Sequence, residues 1–282
     1  MDNIGFSIIT VTYNAEHSLE KTIKSVIKQT YPNIEYIVVD GASTDGTVEI
    51  LKAYNNKITK WISEPDKGVF DAMAKGVQMA TGEYIGFLDS GNWYINSNVL
   101  KNVAEELRQG NTFLSTAYIH EKSNGWKITY PDPEFQHLYL RFDVFLHSAF
   151  VKKEVFTRYG LPCSAYRCSG DHEFVLRLYT KGVPLSTSKT VTIYYENGGI
   201  SSDPRKIAYE EDREIAVRYG IPPVKARAIY YKRVILFSAL LFLRKIKLDK
   251  LARRILGKGN DINLDILKNR YCDPQRPWFA EE

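Results

Sequence analysis

Three cysteines in 282 residues, Cys163, Cys168 and Cys272, show no Cys-x-x-Cys spacing, which argues against a disulfide framework and against a zinc site. No apolar run reaches the roughly 18 to 20 residues that a membrane-spanning helix needs. The stretch Phe6–Val11 is too short and lacks the basic flank of a signal peptide, so a reducing, cytoplasmic setting is expected. Gly-x-Gly-x-x-Gly after the first predicted strand is missing, which disfavours an ordinary dinucleotide-binding fold, and a phosphate-binding P-loop is missing too. Without a Gly-x-Ser-x-Gly elbow, a Ser/His/Asp triad is not indicated. Apolar residues make 44% and charged residues 25%, an ordinary globular balance that excludes wholesale disorder.

The net charge of +5 is unevenly spread. Residues 224–258 hold eleven Lys and Arg (Lys225, Arg227, Lys232, Arg233, Arg244, Lys245, Lys247, Lys250, Arg253, Arg254 and Lys258) against the single acid Asp249. That segment carries +10 and the remainder −5, so a polyanionic partner is expected for the basic segment alone. Ile221-Pro222-Pro223 is the best boundary signal, dividing a body of residues 1–220 from a basic helical segment, 221–282.

In the body, short β-rich runs alternate with helical patterns. Strands are expected at Phe6–Val11, Glu35–Asp40, Trp61–Ser63 and Tyr84–Leu88. Helices are expected from Leu19 to a stop at Tyr31-Pro32, over Thr47–Tyr54 with Thr44 or Asp45 as cap, over Asp71–Ala80 and over Asn98–Arg108. This alternation predicts an α/β fold with a parallel, Rossmann-like sheet and right-handed crossovers. The second half is less regular. Phe113–Tyr118, Trp126–Tyr130 and His147–Val151 read as strands, Asp171–Lys181 and Arg205–Tyr219 as helices.

Ligands of open α/β sheets bind outside the carboxyl ends of the strands, and the polar clusters fall there. They are Thr12-Tyr13-Asn14, Asp40 to Gly46, Glu64 to Gly76 and Asp89-Ser90-Gly91-Asn92. Each alone reads equally well as turn chemistry, a helix cap or solvated surface. Four at one sheet edge point to a site.

Six segments together carry a resemblance: Ser7–Asn14, Ser25–Pro32, Glu35–Thr47, Glu64–Gly68, Asp71–Gly76 and Gly82–Gly91, with weaker matches to Gly199-Ile-Ser201. In order and spacing they resemble family-2 glycosyltransferases of the GT-A fold, the inverting nucleotide-sugar enzymes of polysaccharide assembly. The resemblance implies a mixed, mostly parallel sheet flanked by helices, with the basic segment as a C-terminal extension. It implies that Val11, Thr12 and Tyr13 line a nucleobase pocket and that Asp40 accepts a hydrogen bond from uracil, although Tyr13 reads as readily as a packed aromatic. Lys67 suits the pyrophosphate, and Gly68 permits close backbone approach. Asp71 and Lys75 are spaced as a surface i,i+4 pair, whereas the family pattern aims Asp71 at the donor.

Relatives end the turn after the fourth strand with an acid that ligates a divalent cation, Mn or Mg. Here Asn92 stands at that position, and a neutral oxygen holds a hard cation more weakly than a carboxylate. Asp89 is the expected metal ligand, with Asn92 and the diphosphate as the alternative, and Ser90 lines the same turn. Ser169-Gly-Asp-His-Glu-Phe174 resembles the family's acidic motif, implying Asp171 as the base that deprotonates the acceptor hydroxyl, with Glu173 as alternative and a plain helix cap as the structural reading. His147 is expected at the donor or acceptor, and 196–201 as a mobile loop over the donor.

The implied function is transfer from a UDP-sugar to a glycan or lipid-linked oligosaccharide; a non-catalytic nucleotide-sugar-binding subunit is the alternative, with Asn92 its main support. A sugar nucleotidyltransferase is disfavoured, because the glycine-rich basic N-terminal loop of that class is missing. In the extension, Arg233 and Arg244 flank ten residues, 234–243, apolar except for Ser238, about 15 Å of helix and half a bilayer core. It cannot span, but it suits the interface of an anionic membrane, which places the protein peripherally on the inner face of the membrane. Docking on the body or on a second copy in a homo-oligomer is the alternative. No nucleic-acid partner is expected, since no binding module accompanies the charge.

Overall fold

The computed structural model describes residues 4–122, 125–132, 135, 138, 144–196 and 205–245. The chain runs β1 (Phe6–Thr12), α1 (Leu19–Ile27), β2 (Ile34–Asp40), α2 (Thr47–Ala53), β3 (Lys60–Ser63), α3 (Val69–Met79), β4 (Tyr84–Phe87), β5 (Trp93–Tyr94) and α4 (Val99–Leu107). It continues through β6 (Phe113–Lys122), β7 (Gly125–Thr129), a 3-10 turn (Leu146–Ser148), β8 (Ala149–Lys152), α5 (Lys153–Tyr159), α6 (Gly170–Thr180), β9 (Ser186–Tyr195), α7 (Arg205–Arg218) and α8 (Pro223–Lys245).

One sheet holds the strands in the order β3-β2-β1-β4-β8-β6-β9-β5, with β7 on the side of β6. The first four are parallel, as the alternation predicts. Strand β8 joins β4 and β6 antiparallel, and β6 pairs parallel with β9. The parallel strands are apolar on both faces because both faces are covered. Phe6 and Ile8 of β1, with Tyr36 and Val38 of β2, join the core formed with Leu19, Ile23 and Leu100 of α1 and α4. The alternating Ile9, Val11, Ile37 and Val39 join Phe70, Met73 and Val77 of α3 and Phe174 of α6. The two-residue period of a strand thereby builds two cores from one run of sequence.

Three expectations need correction. Residues 147–151 are not one strand: Ser148 N–H donates to the Phe145 carbonyl at 3.1 Å, so His147 sits in a 3-10 turn and the strand begins at Ala149. Helix α1 stops at Ile27, not at Pro32, because Gln29 and Thr30 turn away to bond the carbonyls of Asn96 and Ser97. The N-cap position of α2 is Gly46, though Asp45 still accepts the Thr47 N–H at 3.0 Å. Three elements, β5, α5 and β9, have no counterpart in the sequence reading. The first two are short, two and seven residues, and β9 opens on the polar run Ser186-Thr-Ser-Lys189.

Candidate active site at the carboxyl ends of the parallel strands

Thr12, Asp40 and Ser63 lie in one row across β1, β2 and β3, each at the end of its strand. Asp40 is fully buried there. Its carboxylate accepts the Ser63 hydroxyl at 2.6 Å, the Ser43 N–H at 3.0 Å and the Ser43 hydroxyl. It therefore shapes the 41–46 loop, whose Thr44 N–H in turn reaches Asn14 at 2.8 Å. Beside this row the Thr12 hydroxyl is buried without a hydrogen-bond partner, while Tyr13 stands 57% exposed. Val11 is buried, and its carbonyl accepts the Ser90 N–H at 3.1 Å, which fixes the β4 turn against β1.

The loop from β3 to α3 is tied down from within. Gly68 has φ +115, a conformation that side chains strongly disfavour, and its N–H meets Asp66 at 2.8 Å. Asp71 accepts the Lys67 N–H at 3.1 Å. Lys75 bridges Glu64 at 2.9 Å and the Pro65 carbonyl at 2.8 Å, and lies 3.9 Å from Asp71. Asp71 and Lys75 thus brace the loop, and Lys67 is presented outward on it.

The turn after β4 brings Asp89 to His147. Their nearest atoms, Oδ2 and Nδ1, are 3.2 Å apart, close enough for charge attraction though not aligned as a hydrogen bond. The other Asp89 oxygen, Oδ1, is buried and unpartnered. His147 is flanked by the rings of Phe145 and Tyr195 at 5.7 and 5.6 Å between centroids. Burial alone would depress its imidazole, but Asp89 and Asp171 outweigh burial and hold it above its ordinary value. Asn92 is nearly fully buried, and its side-chain oxygen accepts the Glu196 N–H at 3.1 Å. That bond fastens the end of β9 to the turn. The loop expected over the donor continues at 197–201, outside the described residues.

Asp171 enters from the far side, in the first turn of α6. Burial raises its carboxyl from 3.8 to about 6; His147 and the His172 N–H pull against that rise. Glu173, the alternative base, is engaged on both oxygens, by Arg177 at 3.0 Å and by the Tyr219 hydroxyl at 2.5 Å. Gly170 lets this helix start come close: a methyl group there would lie 2.6 Å from the Cys163 carbonyl and 2.7 Å from the Phe70 ring of α3. The structure thus gathers Asp89, His147 and Asp171 in one electrostatic group, with the 12–13, 40–46 and 66–68 loops along the same edge.

A model of the family described as "Glycosyl transferase family 2" matches residues 7–173. The chain belongs to glycosyl transferase family 2. Among its relatives is an Escherichia coli protein, UDP-Glc:alpha-D-GlcNAc-diphosphoundecaprenol beta-1,3-glucosyltransferase WfgD. It is 34% identical over 119 residues, 42% of this chain and 47% of that protein, so the chain spans less than half of that relative's length. Among solved structures, S. aureus TarS 1–349 in complex with UDP-GlcNAc superposes with a TM-score of 0.60 at 20% identity, covering 80% of this chain and 70% of that one. A Pyrobaculum calidifontis mannosyltransferase in complex with GDP-Man and Mn2+ superposes with a TM-score of 0.62 at 18% identity, covering 91% and 77%. The expected GT-A architecture is therefore the observed one.

Sequence reasoning missed Ser43 and Ser63, which hold Asp40, and the acids Glu211 and Asp212 of α7. Glu211 accepts the backbone N–H groups of Arg167, Cys168 and Ser169 at 2.7, 2.9 and 2.8 Å, just ahead of Asp171. No local motif announces such a contact, because more than forty residues separate the partners.

Proposed function

We propose that this family-2 glycosyltransferase is an inverting enzyme that moves a sugar from a UDP-sugar to a hydroxyl of a glycan or lipid-linked acceptor during surface polysaccharide synthesis. The observation that carries the reading is Asp171: a buried carboxylate, titrating near 6, on a helix start that faces the Asp89 turn across His147. A base titrating close to neutrality both accepts a proton readily and is ionised at working pH. Asp171 takes the acceptor proton while the nucleotide leaves on the opposite side. Tyr13, the Thr12 hydroxyl and the Asp40 loop hold the nucleobase, and Lys67 with the Gly68 backbone meets the diphosphate. The WfgD name, with its UDP-glucose donor and GlcNAc-diphosphoundecaprenol acceptor, supports this class of donor and acceptor.

The residues fit a divalent cation, Mn or Mg, in one respect: Asp89 offers an unpartnered, buried carboxylate oxygen. Among the described residues no three His, Cys, Asp or Glu side chains converge as a complete cage. Asp89 would therefore be the main protein ligand, with diphosphate and water completing the shell, as is common for Mg²⁺. Bound there, the cation neutralises the leaving diphosphate. Asn92, by contrast, is read as a brace for Glu196.

Transfer is tested with Asp171→Asn. Transfer from UDP-glucose or UDP-GlcNAc should fall at least a hundredfold, the lower range of general-base contributions, with UDP affinity within twofold of the parent. Retained transfer rejects the assignment. A parent protein that binds UDP but turns over neither donor on any acceptor favours the non-catalytic subunit instead.

Helix α8 supports attachment to an anionic membrane. Val224, Tyr231, Ile235 and Phe242 are 80, 59, 66 and 62% exposed, and their spacing of seven, four and seven residues places them on one helical face. Lys225 and Lys232 flank that stripe on one side and Arg227 on the other, the pattern of an interfacial helix. No helix among the described residues is long and apolar enough to cross a membrane. Residues 1–220 are proposed as the transferase domain and 221–282 as the extension that brings it to the bilayer.

A further inference from the structure

The face of α8 opposite the apolar stripe carries Arg233, which reaches back into the body. Its Nη1 lies 2.7 Å from Asp212 Oδ2 of α7, and its guanidinium covers the Tyr209 ring at 4.3 Å. Asp212 Oδ1 meets His172 Nδ1 at 2.8 Å and accepts the Ser169 hydroxyl at 3.0 Å. The second imidazole nitrogen, Nε2, lies 2.6 Å from the Leu138 carbonyl. His172 is 1% exposed.

These contacts decide the charge of His172. A neutral imidazole has one N–H and one acceptor nitrogen, but here both nitrogens face acceptors. A carbonyl cannot donate. Burial opposes the charge of Asp212, but the imidazole and the Arg233 guanidinium outweigh it and hold the carboxyl below its ordinary value. Both nitrogens must therefore donate, which requires the imidazolium. Its own backbone N–H donates to Asp171 Oδ1 at 2.9 Å. Arg233, partly exposed, and the buried Asp212, His172 and Asp171 thus form a set of two cations and two anions, and every ion in it has a counter-charge at hand.

We propose that Arg233, Asp212 and His172 form a positioning relay from α8 to the Asp171 base, with His172 fixed as an imidazolium on Asp212 and its backbone N–H aiming Asp171. Arg233 is then part of the machinery that keeps the base usable. The relay rests on the reading of Asp171 as base, and it has consequences of its own. The charged groups around Asp171 are His147 on the side of the β4 turn, His172 on its own helix, and Asp212 from α7. Among the described residues, those acting on His172 include Asp212 and Asp171. Removing the His172 charge leaves Asp171 with His147 as its nearby cation among the described residues, so it should ionise only at higher pH.

Two measurements on the full-length chain test this. In ¹⁵N-edited NMR of the five histidines, one imidazole should keep both nitrogens protonated from pH 6 to pH 8. That signal should vanish in His172→Gln and should titrate within this range in Asp212→Asn. If every histidine deprotonates by pH 8, the imidazolium is refuted without any need for turnover. The second measurement follows UDP release from UDP-glucose and UDP-GlcNAc against pH. His172→Gln should move the acid limb up by at least about half a unit with donor KM within twofold, whereas a merely structural role would lower the rate equally at all pH values. Arg233→Met, altering a partly exposed side chain, covers the case in which His172→Gln does not fold. It should lower kcat about fivefold, and Arg233→Lys should restore most of that loss. Wild-type kcat in Arg233→Met overturns the relay. If Asp171→Asn is inactive while the His172→Gln profile superimposes on the parent, the relay fails and the base stands. If Asp171→Asn stays active, it is the base assignment that fails.

Discussion

As the proposed base, Asp171 must be ionised to work, yet it is buried where ionisation is costly. Its folded value, about 6, lies above the ordinary 3.8, so the protonated form favours the fold. That contribution is complete below about pH 3.8 and is lost as pH rises through 6. Transfer should accordingly fall as pH drops through 6. Asp171→Asn should be the more stable protein at pH 7.5 by about 2–3 kcal/mol, an advantage that disappears near pH 3.5. Denaturant unfolding at the two pH values checks this, and a destabilised variant at pH 7.5 would contradict it. Glu35 has the opposite sign. Burial opposes its charge, but Lys60 at 2.7 Å, the Ser7 hydroxyl at 2.6 Å and the Thr81 N–H at 2.7 Å hold its carboxyl down to about 2. Its stabilisation is present above pH 4.5 and is lost as pH falls toward 2. After discounting for the exposed Lys60, Glu35→Gln should cost about 1–2 kcal/mol at pH 7 and nothing at pH 2. An equal loss at both pH values would mean that packing, not charge, is at stake.

Helix α6 is placed by contacts at both of its ends. Glu211 gathers three amides ahead of it, Arg177 binds the Tyr159 and Leu161 carbonyls behind it, and Gly170 allows the approach to Phe70. Gly170→Ala drives a methyl group into the backbone at Cys163, which should cost on the order of 1–3 kcal/mol and shift the base. A drop in melting temperature accompanied by a larger fractional loss of turnover than of UDP binding is the expected result; unchanged turnover would show that the helix start tolerates displacement. The elements of the first half other than β5 were legible because β1, β2 and β4 each present continuous or alternating apolar residues next to a helical period. The turn holding His147 was not. Phe145-Leu-His-Ser-Ala-Phe150 alternates like a strand, and only the Ser148-to-Phe145 bond bends its first half into a 3-10 turn.

The overall charge of +5 divides into an acidic body and a basic segment, and α8 shows how the two meet. One face gives Arg233 to Asp212, while the other leaves an apolar stripe between cations in solvent. The full chain should sediment with vesicles containing phosphatidylglycerol and much less with pure phosphatidylcholine. Ile235→Glu with Phe242→Glu should weaken that binding more than tenfold, since each removed side chain forfeits about 1.5–3 kcal/mol of burial. Unchanged sedimentation would exclude this face as the contact.

Residue order alone was enough for the parallel sheet and the polar loops at its carboxyl edge, because strand and helix periods and turn chemistry are local properties; the proposal of Asp40, Asp89 and Asp171 came from the family resemblance. Residue order was also enough for the charge division. Which neighbours those acids acquire was settled by folding. Asp40 lies under Ser63, Asn92 holds Glu196, Glu173 is engaged by Tyr219, and His172 meets Asp212. Each of these pairs is separated by 23 to 104 residues. A side chain's protonation and availability depend on what the fold packs against it, and no local pattern in the chain encodes that.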